Sequence, residues 1–173
     1  MRNVILAWKD ADRGDLAPVL APLLARAIAQ ALLDRPAVTA AIRTQRPLVI
    51  VPVPSRAAAV RARGRWPVSE LVAAMQTSVG HTHALVSAPA LRLASTGRDQ
   101  AGLSQRDRAW NVNHAMRLDR RHCASIEGAL CMVVDDIVTT GHTLAEAARV
   151  LRSSGATTVL AATVAATARR VPR

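Results

Sequence analysis

Residues 129–144 read ALCMVVDDIVTTGHTL and carry the strongest structural signal in the chain. The apolar run 130–134 is short and rich in valine, which predicts a strand buried on both faces. Asp135 and Asp136 end this run. A helical spacing of apolar residues then starts at Leu144, with Thr143 and Glu146 fitting a capping box and Gly155 a helix stop. We therefore expect strand, loop and helix, with polar groups at the carboxyl end of the strand, where parallel α/β sheets bind ligands.

The loop between this strand and helix has the chemistry of a phosphate cradle. Thr139, Thr140 and Thr143 supply hydroxyls beside the free N–H groups of a helix start, and Gly141 lets the backbone turn close to a ligand. The two aspartates cannot bind phosphate, but they can accept hydrogen bonds from sugar hydroxyls or hold a hydrated Mg²⁺. A ribose 5-phosphate has both a phosphate and a diol, so it fits this loop.

The rest of the chain predicts an α/β fold with a parallel twisted sheet flanked by helices. We expect strands at 48–53, 84–90, 130–134 and 157–164, and helices at 16–33 and 68–79, all in a single domain spanning 1–173. The block 92–113 is polar, arginine-rich and aperiodic. A block of this length predicts a lid or binding loop, and the alternative is a loop whose polar residues only solvate it. Its candidate ligand residues are Gln100, Arg106, Arg108 and Asn111.

Composition limits the class of protein. Half of the 173 residues are apolar, and we find no transmembrane-length run or signal-peptide pattern, so we expect a cytoplasmic protein. Cys123 and Cys131 form neither a disulfide framework nor a zinc-ligand set. The formal charge of +11 favours polyanionic ligands, either phosphorylated metabolites or nucleic acid. With Phe and Tyr absent, the few tryptophans weaken a single-strand-binding function based on aromatic stacking.

The segment VVDDIVTTGHTL resembles the phosphoribosyl-pyrophosphate (PRPP) signature of type I phosphoribosyltransferases. The resemblance implies that Asp135 and Asp136 bind the ribose hydroxyls and also hold Mg²⁺, either through the ligand or through water. It further implies a 5-phosphate site formed by Thr139, Thr140, Gly141, His142 and Thr143. A pyrophosphate site is implied at Pro54, Ser55 and Arg56. From the residues alone, two adjacent acids on a strand point to opposite sides, so one of them could face the ligand while the other anchors the loop.

Several further segments resemble the ComF branch of this family, which is associated with competence for DNA uptake. They are Lys9, VPVPSR (51–56), RARG (61–64) and the polar block with Gln100, Leu103, Arg108 and Asn111. The chain departs from the branch in lacking a cysteine-rich zinc module and in having Arg65, Trp66 and Pro67 after the RARG segment. The resemblance implies a homodimer, and DNA or competence proteins as partners.

Three functions stay open at this point. The first is transfer of a phosphoribosyl group to a nitrogen nucleophile with release of pyrophosphate, using Mg²⁺. The second is a non-catalytic sensor of PRPP or a nucleotide, and the third is a basic single-stranded-DNA-binding competence factor. Alternatives also remain for the basic residues. Arg56 could bind a diphosphate or face solvent, Lys9 could be a surface residue or a ligand contact, and Arg61, Arg63 and Arg65 could form a solvated basic face or reach the ligand.

Overall fold

The computed structural model describes residues 2–11, 13–44, 46–80, 84–94 and 116–167. Its main feature is a four-stranded parallel sheet. Numbered along the chain and taken in their order across the sheet, its strands are β2 (Leu85–Ser87), β1 (Leu48–Pro52), β5 (Leu130–Val138) and β6 (Thr158–Ala166). Strands β3 (Leu91–Leu93) and β4 (Met116–Leu118) form a separate antiparallel pair. The expected α/β architecture and all four expected sheet strands are confirmed.

Helices occupy both faces of this sheet. They are α1 (Arg2–Asp10), α2 (Ala17–Leu33), α3 (Pro36–Arg43), α4 (Ala57–Arg63), α5 (Pro67–Ser78), the short α6 (Cys123–Ile126) and α7 (His142–Ser153). The sequence predicted α2, α5 and α7. It did not predict α1, α3 and α4, which are at most nine residues long and therefore too short to show a clear periodicity.

Alternate residues of the central strands enter two separate cores, which explains why their sequences are almost continuously apolar. On one face, Leu48, Ile50 and Met132 pack in a cluster with residues of α1, α2 and α5. On the other face, Cys131 and Val133 pack with α7, β3 and β4. Fully burying one such aliphatic side chain contributes about 1.5–3 kcal/mol to folding. The prediction of a strand buried on both faces is confirmed.

The antiparallel pair β3–β4 was missed because the sequence around it is polar. Asp119, directly after β4, holds the pair through Arg92 on β3 and through Arg121, at 2.6 and 2.7 Å. Hydrogen bonds from Arg121 and then Arg92 keep the pKa of Asp119 well below its usual range. The expected strand 84–90 also ends earlier than predicted, at Ser87, and a second strand starts at Leu91.

The segment Gly14–Leu33 is long and apolar enough, by length and composition, to cross a membrane, with a mean hydropathy of 1.7. The sequence-based expectation that no run reaches that length is therefore wrong on this criterion. In the fold, however, α2 buries Leu20, Ala21 and Leu24 in the core beside α5 and β6. A single helix of this kind near the N-terminus is weak evidence for a membrane span, because the buried helix of a protein core and a signal sequence satisfy the same criterion.

Candidate functional site

The carboxyl ends of β1 and β5 lie side by side. Pro52 is opposite Val134 in the parallel register, and the N–H of Val53 donates to the carbonyl of Val134 at 2.9 Å. The segment Pro54–Ser55–Arg56 therefore leaves the sheet next to the point where β5 presents Asp135 and Asp136. The two segments that the sequence assigned to pyrophosphate and ribose are thus neighbours at one edge of the sheet.

β5 continues four residues further than predicted and includes both aspartates. The acids therefore do not end the strand, because β6 remains paired with this part of it, Asp135 being opposite Thr163 and Val138 opposite Ala166. Within a strand, successive side chains point to opposite faces. Asp135 is accordingly half-buried, whereas Asp136 is buried. The two carboxylates have different surroundings.

Asp136 is paired with a lysine from the first helix. The Lys9 ammonium lies 2.6 Å from Oδ2 of Asp136, whose side chain is 5% exposed, while that of Lys9 is 34% exposed. The other oxygen, Oδ1, accepts a hydrogen bond from the N–H of Ile137 at 2.8 Å. Lys9 is therefore not a free surface lysine. Among the described residues, no donor is aligned for a regular hydrogen bond to Oδ2, so its contact with Lys9 is mainly electrostatic.

Asp135 is the acid that retains access to the sheet edge. One of its oxygens, Oδ1, accepts a hydrogen bond from the N–H of Asp136 at 2.8 Å. Burial, followed by the negative charge of Asp136, raises the pKa of Asp135 to about 7. A carboxyl group with a pKa near neutrality at a sheet edge is typical of a functional position.

The threonine-rich bend after β5 is open to solvent. Thr139, Thr140, His142 and Thr143 are exposed, and Gly141 adopts φ 81°, a left-handed conformation that favours glycine. Intrahelical bonding starts with the N–H of Ala145, which donates to the carbonyl of Gly141 at 2.9 Å. The preceding amides lie at the N-terminus of the twelve-residue α7, where N–H groups have no intrahelical acceptor. The bend is therefore available as an anion cradle.

Two side chains in this region behave differently from the sequence-based expectation. The predicted capping box is wrong: Gly141 occupies the cap position, and no side chain caps the helix. Glu146 is instead buried, where it accepts hydrogen bonds from Arg149 at 2.7 and 2.8 Å and from the N–H of Met116 at 3.4 Å. Thr143 stays exposed and free to contact a ligand. His142 places Nδ1 2.8 Å from the hydroxyl of Thr140 within the bend.

The RARG segment and the arginine after it do not form a solvated basic face. Arg63 pairs with Asp10 of α1 at 3.0 Å. Arg65 pairs with Glu70 at 2.6 Å, donates to the carbonyl of Trp8 and lies 5.9 Å from the centre of the Trp8 ring. The expectation of a solvated face is wrong for these two arginines, because both contact residues of α1, namely Asp10 and Trp8. Arg61 is exposed, as that expectation had it.

The remaining predicted residues divide into two groups. Pro54 and Ser55 are partly buried and Arg56 is exposed, directly before α4; among the residues described, Arg56 has no ion-pair partner. The four candidates of the polar block lie outside the described residues, as does all of 95–115; they are Gln100, Arg106, Arg108 and Asn111. Within the described ranges there is no group of three or more His, Cys, Asp or Glu residues that could hold a metal ion by themselves.

Comparison with known proteins agrees with this architecture. The structure is an α/β domain in which an anion cradle lies beside a carboxylate, near the carboxyl end of a parallel strand. Residues 81–173 match the family model described as "Phosphoribosyl transferase domain", which is more than half of the chain, and the chain belongs to this family. The prediction of a type I phosphoribosyltransferase fold is confirmed.

Individual relatives are more distant. The chain is 43% identical over 60 residues to the DNA utilization protein YhgH of Salmonella typhi and to that of Salmonella typhimurium. This match covers 35% of the chain and a quarter (25%) of the length of either relative. Among solved structures, the hypoxanthine phosphoribosyl transferase of Trypanosoma cruzi is 20% identical, with a TM-score of 0.49 over 92% of this chain and 70% of the other.

Proposed function

We propose that the chain binds PRPP at the carboxyl ends of β1 and β5 and transfers its phosphoribosyl group to a nitrogen nucleophile with release of pyrophosphate. The observation that carries this proposal is the open bend 139–143 at the N-terminus of α7, directly after a strand that presents Asp135. Helix N-termini bind phosphate through free amides and the helix dipole. The family to which the chain belongs supports the same ligand class.

Each part of PRPP has a proposed partner at this edge. The 5-phosphate binds the amides and side chains of the bend, which consists of Thr139, Thr140, Gly141, His142 and Thr143. Asp135 accepts hydrogen bonds from the ribose diol, with Asp136 behind it. The diphosphate binds beside Pro54 and Ser55, where the exposed Arg56 can pair bidentately with phosphate oxygens. Gln100, Arg106, Arg108 and Asn111 remain proposed lid residues.

Mg²⁺ is part of the proposal as a companion of the ligand. Mg²⁺ commonly binds through one or two carboxylates together with substrate phosphates and water, so the accessible Asp135, with the buried Asp136 behind it, fits the ion even though no larger cluster is present among the described residues. When bound, the ion would neutralise charge on the departing pyrophosphate. The protein's own groups would supply orientation and further charge stabilisation.

Isothermal calorimetry with PRPP and Mg²⁺ tests the proposal. Wild-type protein should bind, and Asp135→Asn should lose at least about tenfold in affinity because a ribose acceptor is weakened. The exposed Asp34→Asn, at the end of α2, is the matched control and should bind as wild type does. Absence of binding by wild type to PRPP, ribose 5-phosphate and nucleotides alike would refute the proposal. Pyrophosphate release with a panel of nucleobases and ammonia then separates an enzyme from a sensor.

A second candidate function is a PRPP or nucleotide sensor of the ComF branch that acts through DNA or competence proteins in the cytoplasm. The supporting observation is the partial match to the two Salmonella proteins named for DNA utilization. The +11 charge is compatible with DNA binding. Titration of single-stranded DNA at several salt concentrations tests it: a steep salt dependence that PRPP does not alter would favour direct DNA binding. Sedimentation analysis tests the homodimer.

A further inference from the structure

We propose that Lys9 is a positioning residue: it compensates the charge of Asp136 inside the fold, so that Asp135 alone meets the ribose diol. We further propose that Arg63 and Arg65, here called the arginine clasp, hold the helix that carries Lys9. This inference rests on the proposed PRPP site and assigns different roles to its two acids. In this arrangement Lys9 and the RARG segment support the site without contacting the ligand.

Asp136 is a buried carboxylate near the carboxyl end of β5. Its side chain is 5% exposed, and a carboxylate taken out of water is strongly unfavourable unless an opposite charge compensates it. Among the described residues, Lys9 is the cation that contacts Asp136, at 2.6 Å from Oδ2. The remaining oxygen is bonded to the N–H of Ile137, which ties the carboxylate to the backbone of β5. Asp136 is therefore already engaged on both oxygens by the protein.

A nine-residue helix is marginal on its own, so α1 depends on tertiary contacts. Ile5 and Trp8 are fully buried in the core. The arginine clasp adds polar contacts, with Arg63 bound to Asp10 and Arg65 bound to the carbonyl and ring of Trp8. The residues on both sides of Lys9 are thereby fixed, which places the ammonium at Asp136.

PRPP is a polyanion, and every further carboxylate near its site that lacks a compensating cation opposes the phosphates. With Lys9 in place, its positive charge partly offsets the negative charge of Asp136 at the carboxyl ends of the strands. Without Lys9, two adjacent carboxylates would oppose the phosphates, and Asp136 would have no cation among the described residues. Loss of Lys9 should therefore weaken PRPP binding through Asp136.

A direct contact between Lys9 and a ligand phosphate is the competing explanation, and a double substitution separates the two. In Lys9→Met the affinity for PRPP, measured by calorimetry with Mg²⁺, should fall at least about tenfold. Adding Asp136→Asn removes the uncompensated charge, so Lys9→Met with Asp136→Asn should recover more than half of that loss on a logarithmic scale. A direct contact predicts no recovery, because the double variant still lacks the ammonium.

Thermal unfolding of wild type, both single variants and the double variant keeps the test independent of the ligand. The double-mutant cycle should show favourable coupling between positions 9 and 136. If Lys9→Met does not fold, the milder Lys9→Gln replaces it, and the corresponding double variant should be the better folded. Two results on PRPP affinity would overturn the inference: a double variant that binds no better than the single lysine variant, or a Lys9→Met variant that binds as wild type does. An unfolding cycle without coupling between positions 9 and 136 would also overturn it. If wild type itself binds no PRPP, the proposed function fails, and the unfolding cycle alone decides the pairing.

Discussion

The N–H of Val53 donates to the carbonyl of Val134 at 2.9 Å and so aligns the carboxyl ends of two neighbouring parallel strands. One strand continues into Pro54, Ser55 and Arg56, and the other presents Asp135 and Asp136. A diphosphate and a ribose held at these two strand ends would be held by adjacent backbone segments. The geometry of the proposed site is therefore set by the pairing of these two strands.

Gly141 provides the first prediction. Gly141→Ala should lower the free energy of unfolding by about 1–2 kcal/mol, because φ is 81° there, and should also weaken phosphate or PRPP binding by displacing the amides of the bend. Gly80→Ala is the matched control, since Gly80 has φ 78° and lies before β2, at the opposite end of the sheet strands. It should lose similar stability and no affinity. Equal affinity losses in the two variants would contradict the assignment of the bend.

The arginine clasp gives a prediction about stability. Arg65→Ala should lower the free energy of unfolding by about 2–3 kcal/mol, because the Arg65 side chain is only 12% exposed and binds both Glu70 and Trp8. Arg61→Ala, an exposed arginine of the same segment, should stay within about 0.5 kcal/mol of wild type. Urea denaturation measures both. Similar effects of the two substitutions would indicate that the clasp does not hold α1.

The rejected capping box gives a third prediction. Glu146→Ala should destabilise the fold by about 1–3 kcal/mol, because it removes a buried side chain that accepts hydrogen bonds from the exposed Arg149 and from the N–H of Met116. Thr143→Ala should change stability by less than about 0.5 kcal/mol, since Thr143 is exposed and caps no amide. A capping box would instead make both substitutions costly by about 1 kcal/mol. Thermal or urea unfolding of the two variants decides between these outcomes.

The two cysteines test the burial of β5. Cys123 is exposed, whereas Cys131 is fully buried and burial raises its pKa to about 11. A thiol reagent at pH 8 should label Cys123 of the native protein quickly. It should label Cys131 at least about 100-fold more slowly, because that thiol is reached only when the protein transiently unfolds. Cys123→Ser should abolish the fast phase and leave the slow one. Two fast phases would mean that the central strand is accessible to solvent.

The sequence predicted the sheet well because its central strands are buried on both faces. A short, continuous apolar run such as 130–134 is typical of a strand that is buried on both faces. The polar residues directly after this run also indicated where the ligand site lies. The end of β5 was harder, since Asp135 and Asp136 are polar and still pair with β6. Polarity alone does not show whether backbone pairing continues.

Long-range polar contacts were not predictable from the sequence. Lys9 and Asp136 are far apart in the chain, and so are Asp10 and Arg63, and single charged residues of this type are ordinarily solvated. Two clues were present nonetheless. Asp136 is adjacent to another acid in a strand, which requires one of the two to face inward, and Trp8 next to Lys9 marks a segment that should pack. Together they indicate that α1 and one of the two acids pack inside the fold, without showing that the two meet.

A crystal structure of the protein with PRPP and Mg²⁺ would show whether the bend and Asp135 hold the ligand. We expect the 5-phosphate within hydrogen-bond distance of the amides and hydroxyls of residues 139–143, the ribose diol against Asp135, and Asp136 still paired with Lys9. A ligand seated elsewhere, or a 5-phosphate that makes no contact with the bend, would contradict this expectation.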